Sequence, residues 1–130
     1  MASIFTKIIN GEIPANKILE DDNFIAFLDA FPVQKGHTLI VPKQEIDNIF
    51  DVSDDRLSEM VVFAKKVAKS IEKSFSCRKV GVTVIGLEVP HAHIHLIPIN
   101  EEKDMNFSNP KLKLEAEEMK EIANTIISNL

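Results

Sequence analysis

Residues 89–98, VPHAHIHLIP, set a histidine at every second position within an otherwise apolar run. Successive side chains of an extended strand point to opposite faces, so His91, His93 and His95 share one face while Ala92, Ile94 and Leu96 share the other. On a helix the same three imidazoles would splay over more than half the circumference. Isoleucine and valine flank the motif and Pro90 and Pro98 bracket it, which predicts a strand. The chain has four histidines, so three of them are spent here.

The remaining pattern surrounds that strand with an α+β domain. Residues 4–9 read as a short helical turn closed by Gly11 and Pro14. KILED (17–21) and FIAFLD (24–29) read as strands joined by an Asp-Asp-Asn turn, and HTLIVP (37–42) as a third strand introduced by Gly36. Ser53 is a suitable N-cap for one long helix, with Asp54 and Asp55 complementing the helix dipole. Leu57, Met60, Val61, Ala64, Val67, Ala68, Ile71 and Phe75 recur along it at helical spacing. Lys65, Lys66, Lys69 and Lys73 mark its solvated side. Segment 80–86 is β-rich, 100–110 is a polar loop, and Leu114, Met119, Ile122, Ala123, Ile126, Ile127 and Leu130 predict a C-terminal helix over about 115–129, without a good N-cap. Strands, helix, strands and helix imply an antiparallel sheet covered by helices, in a single domain over 1–130.

Composition narrows the partners. Hydrophobic residues make up 45% and charged residues 27%, an ordinary globular balance. With a net charge of −5 and no basic run, no nucleic-acid polymer is expected, although a small anion in one pocket is compatible. The single cysteine, Cys77, excludes an internal disulfide and a cysteine-based zinc cluster. MASIFTKIINGEIP lacks a basic segment followed by an apolar core, and no apolar stretch reaches membrane-spanning length. A cytoplasmic protein without a membrane partner is expected.

Three imidazoles on one face admit several chemistries. They could be solvent-facing structural residues, which suits a histidine-poor chain badly. Two of them could grip a metal with a third ligand from His37, Asp29 or Glu88. His91 and His95 would be roughly 13 Å apart at Cα on a straight strand, too far for all three to converge easily on one ion. The third reading is attack on phosphorus. A neutral imidazole is a nucleophile near pH 7, and flanking imidazoles can hydrogen-bond phosphate oxygens and protonate a leaving group.

VPHAHIHLIP fits the alternation His-φ-His-φ-His-φ-φ, where φ is apolar, and resembles the histidine triad (HIT) family. Residues 4–43, IFTKIINGEIPANKILEDDNFIAFLDAFPVQKGHTLIVPK, resemble the N-terminal half of its Hint-type branch, and the similarity runs in order from residue 4 to about 100. The resemblance implies a sheet of about five strands, a homodimer joining two sheets, and a purine nucleotide or nucleotide conjugate attacked at its α-phosphate, with no cofactor required. By position it implies that His93 is the nucleophile, that His91 and His95 contact the phosphate and leaving group, and that His37 orients the triad. It implies that Asp29 takes the ribose hydroxyls and that Ile4, Phe5, Ile8, Phe27 and Ala30 form the base slot. The expected reaction is hydrolysis of nucleoside phosphoramidates or related monophosphate conjugates. A dinucleoside polyphosphate hydrolase, a non-catalytic nucleotide-binding adaptor and a metal-dependent hydrolase are the alternatives. Three positions depart from the family pattern: Leu87 replaces a usual Gln, the preceding loop has no Asn, and Glu45 stands where a His often follows the VPK stretch.

Overall fold

A computed structural model describes residues 2–130; of the expected single domain, Met1 lies outside the described residues. Five antiparallel strands form one sheet: β1 (Lys17–Glu20), β2 (Phe24–Leu28), β3 (Thr38–Pro42), β4 (Lys79–Thr83) and β5 (Ile94–Ile99). Their order is β1-β2-β3-β5-β4, so the strand that carries the histidine motif is central and β4 is an edge. The helices are α1 (Ile4–Ile9), α2 (Asp54–Ser74) and α3 (Ala116–Ser128), with two 3-10 turns at Ile49–Asp51 and Glu102–Met105.

Alternation along the central strands divides the interior into two layers. Phe24, Ala26 and Leu28 of β2, Ile40 of β3, and Ile94 and Leu96 of β5 pack with Met60, Val67 and Ile71 of α2 and Met119, Ile122 and Ile126 of α3. Ile25 and Phe27, with Leu39 and Val41, point the other way and meet Phe5, Ile8 and Ile9 of α1. Both faces of β2 and β3 are buried, which is why these strands read as nearly continuous apolar runs.

Helix boundaries follow their caps. Ser53 accepts the Arg56 amide at the start of α2, with Asp54 and Asp55 in its first turn as expected. No side chain caps the start of α3. The buried stripe of α2 is rotated from the sequence expectation. Val61 is exposed, whereas Phe63 and Ser70 are buried. The cause is what lies across from them: Phe63 packs on Phe24 at 5.6 Å, and the Ser70 hydroxyl donates to the Ile126 carbonyl of α3. Ile127 and Leu130 likewise sit on the exposed side of the last helix.

Two strand expectations are corrected. β4 stops at Thr83, leaving Val84, Ile85 and Leu87 exposed in the following loop. β5 begins only at Ile94, because His91 and Ala92 turn aside to other partners: the His91 amide donates to Val89 O and the Ala92 amide to Ile46 O. Of the three alternating histidines, only His95 therefore lies in a strand.

Candidate active site

A cavity of about 580 Å³ opens on the α1 face of the sheet. Phe27, Leu39 and His95 are successive cross-strand partners there, so the register of three strands carries His95 to the cavity floor. His93 lines the same cavity from the segment just before β5, and its ring lies 4.8 Å from that of His95. Phe5 of α1 meets His93 edge-on at 4.9 Å and Phe27 at 5.6 Å. Ile4, Phe5, Ile8, Phe27, Ala30 and Asp29 all line the cavity, as do Leu87 and Glu88. Phe5 and Phe27 also belong to the buried core of that face, whereas Ala30 is exposed.

The other two histidines stand behind this pair. His37 precedes β3, where the backbone continues the β2–β3 ladder by one step: the Asp29 amide donates to His37 O. Gly36 makes the turn possible, since it adopts φ +92° and a Cβ there would meet the Phe75 ring at 2.6 Å. His37 Nε2 is 2.9 Å from His95 Nδ1 and 3.4 Å from Asp29 Oδ2. His91 is fully buried and does not line the cavity. Its Nε2 lies 2.8 Å from Pro42 O and its Nδ1 lies 2.7 Å from Ser3 Oγ. The expected contact of His91 with substrate phosphate has no free ring nitrogen to make it in this arrangement.

These bonds assign the tautomers. A carbonyl only accepts, so His93, whose Nδ1 is 2.7 Å from His91 O, carries its proton on Nδ1 and leaves the Nε2 lone pair free. The Val33 amide donates to His37 Nδ1 (3.2 Å), so the His37 proton is on Nε2 and points at His95 Nδ1. His95 then carries its own proton on Nε2. One cavity imidazole thus offers a lone pair and its neighbour offers an N–H. His91 donates from Nε2 to Pro42 O and accepts the Ser3 hydroxyl, and Ser3 in turn caps α1 by accepting the Thr6 amide. Glu45 accepts both the Ser3 amide (2.7 Å) and the Thr6 hydroxyl (2.6 Å), and these bonds lower its pKa to about 2.

Burial keeps the rings uncharged. Desolvation, then the neighbouring imidazole, holds His37 at about 3 and His95 at about 4. His93 is also lowered by burial, with its bond to His91 O pulling the other way. Asp29 moves up for the same reason, opposed by the Phe31 amide that its Oδ1 accepts at 2.9 Å.

Asp29, His37 and His95 bring their ligand atoms within 4.8 Å of one another, the one such group among the described residues; Glu88 does not join them. The donor set fits a metal poorly. An ion on His37 Nε2 would require the proton on Nδ1, facing the Val33 N–H, and two donors would then oppose each other.

Phe107 and Lys111, from the polar segment after β5, also line the cavity. The sequence pattern gives residues 100–110 as a polar loop and assigns no role to Phe107 or Lys111, and no local signal there points to the site.

The chain and its fold have known counterparts. The chain is 33% identical to an adenosine 5'-monophosphoramidase of Schizosaccharomyces pombe, covering 100% of this chain and 99% of that one. It is 36% identical to an uncharacterized HIT-like protein of Borreliella burgdorferi, covering 98% and 97%. A crystal structure of a Hit-like protein from Bartonella henselae superposes with a TM-score of 0.84 at 32% identity, covering 98% of this chain and 96% of that one. The HIT domain family model matches residues 10–102, and the chain belongs to the HIT domain family.

Proposed function

We propose that this protein hydrolyses purine nucleoside phosphoramidates, or related conjugates of nucleoside monophosphates, through a nucleotidyl-histidine intermediate on His93 and without a metal. The reading rests chiefly on the tautomer of His93: its Nδ1 proton is bound to His91 O and its Nε2 lone pair is free beside the cavity. The phosphoramidase named among the relatives supplies the substrate class.

In the first step the P–N bond of the conjugate breaks as a bond forms between phosphorus and His93 Nε2. The departing amine takes the Nε2 proton of His95, and the His37 N–H directed at His95 Nδ1 supports the charge left on that ring. Water then attacks phosphorus and returns a proton to His95. The P–Nε2 bond breaks, and nucleoside monophosphate is released. Asp29, whose Oδ1 accepts the Phe31 amide and whose Oδ2 lies 3.4 Å from His37 Nε2, is the acceptor for the ribose hydroxyls. The apolar walls from Ile4, Phe5, Ile8 and Phe27 take the base. The two-copy joined sheet belongs to the same proposal, with the β4 edge and its exposed Val82 as the joining strand. A monomer in sedimentation at micromolar concentration would remove that part alone.

The experiment is turnover of adenosine 5'-phosphoramidate in EDTA, beside His93→Ala. Activity that persists in EDTA and falls by on the order of 10³-fold or more in the variant is expected. An acid limb of the kcat/KM profile below pH 6.5 is expected with it, because burial lowers His93. Undiminished hydrolysis by the variant would dispose of the nucleophile. Nucleotide binding without turnover by either protein would leave an adaptor, and loss of wild-type activity only in EDTA would indicate a metal.

A further inference from the structure

The segment after β5 brings a cation to a cavity whose other charged side chains are carboxylates. The Leu112 amide donates to Pro32 O (2.8 Å), tying the segment to the loop that follows Asp29. Just before that anchor, the Phe107 ring lies edge-on to His95 at 4.8 Å and to His37 at 5.9 Å. Lys111 Nζ stands 5.3 Å from the centre of the same ring and donates to Phe107 O at 2.7 Å. That bond uses one of its three N–H groups.

Lys111 is the only Lys or Arg among the described residues lining the cavity, where the carboxylates are Asp29 and Glu88. No carboxylate pairs with it among the described ion pairs. Its position is also polarised. The Phe107 ring that Lys111 sits over packs on His95 and His37, whereas Phe5 packs on His93. The ammonium therefore stands at the His95 end of the catalytic pair.

We infer that Lys111 is a specificity-determining residue that favours conjugates whose leaving group carries an anion, either a carboxylate or a phosphate. The inference rests on the reaction proposed above. In-line attack by His93 Nε2 places the leaving group on the far side of phosphorus, where the His95 N–H meets the departing atom. A cation over the Phe107 ring, which packs on His95, then faces what leaves. When the P–N bond breaks, the amine departs with the proton from His95, and its carboxylate remains within the field of Lys111 throughout.

The test compares N-(adenosine 5'-phosphoryl)glycine, its methyl ester and diadenosine triphosphate as substrates of the wild-type protein, Lys111→Ala, Lys111→Gln and Lys111→Arg. The wild-type protein should prefer the acid over the ester in kcat/KM, and the preference should shrink as salt rises. Alanine and glutamine should cut that preference roughly fivefold, the upper range for a partly exposed ion pair, while arginine should retain it. Lys111 is exposed, and thermal melts of the variants check that they fold. A matching loss on diadenosine triphosphate assigns Lys111 to anionic leaving groups in general; a loss confined to the acid assigns it to carboxylates. An acid-to-ester ratio unchanged in both alanine and glutamine variants overturns the role of Lys111. Failure of the wild-type protein to cleave any of the three overturns the proposed reaction itself, a result distinct from that one.

Discussion

Ala26, Ile40 and Ile94 sit side by side in three strands and face α2 and α3; Phe27, Leu39 and His95, one residue further along β2 and β5 and one back along β3, face α1 and the cavity. The helix face is an apolar layer held almost wholly by nondirectional contacts, the Ser70 hydroxyl bond to the Ile126 carbonyl aside. The other face uses the same strands to hold imidazoles whose ring nitrogens are committed to named partners: His37 to Val33 and His95, His91 to Ser3 and Pro42, His93 to the His91 carbonyl. The difference shows where specificity resides. The helix face needs side chains of the right size, whereas the site face needs each hydrogen bond to fix the next tautomer.

The largest expected effect that separates the two faces is acid destabilisation. Above pH 6.5 His37 and His95 are neutral both folded and unfolded. As pH falls below that value the unfolded chain takes up protons, while His37 and His95 resist until about 3 and about 4. The unfolded state binds more protons in this window, so stability is full above pH 6.5 and is lost as pH drops toward 4. Each displaced pKa unit corresponds to about 1.4 kcal/mol, and the two rings together give a loss on the order of several kcal/mol. Denaturant midpoints measured from pH 7 to pH 4 read this directly, and a flat profile would show that the rings are not held neutral. Glu20, Glu45 and Asp104 are all lowered by their hydrogen bonds and act in the same direction only at more acid pH, which keeps the windows apart.

A cavity on the helix face comes next. Ile126 is fully buried between α2 and the sheet, and Ile126→Ala should cost about 2–5 kcal/mol. Its kcat/KM per folded molecule should stay near that of the wild-type protein, since none of the site histidines nor Asp29 belongs to that layer. A large fall in kcat/KM at full folding would break the division between the faces.

The smallest effect sharpens the site itself. Asp29→Asn removes the carboxylate but keeps the turn-forming acceptor for the Phe31 amide. AMP binding should weaken about tenfold, as expected for a hydrogen bond to a charged group, with inorganic phosphate less affected. Calorimetry with both ligands measures the contrast. Equal weakening would move Asp29 from the ribose to the phosphate.

Much of this was legible in the chain. Periodicity located α2 and α3, alternating and β-branched runs located four of the strands, and the Ser53 cap marked a helix start to the residue. These are local signals, because capping and face alternation depend on neighbours within a few positions. The errors fell where a distant partner decides. Val61 gave way to Phe63 and Ser70 because Phe24 and Ile126 stand opposite them. The histidine run lost its regular strand at His91 because Ser3, Pro42 and Ile46 claim that stretch.

The sequence by itself determined that three imidazoles would be concentrated next to an apolar sheet, that His37 would be the fourth, and that the fold would be an antiparallel sheet with one long helix and a C-terminal helix. Only the tertiary structure decided which nitrogen of each ring is free, that His91 faces inward while His93 and His95 face the cavity, and that Lys111 arrives beside them from the C-terminal segment. The physical reason is range. Side-chain alternation is set by each residue's own backbone, whereas His91 and His95 are held by Pro42, His37 and Ser3, groups 49 to 88 residues away in the chain.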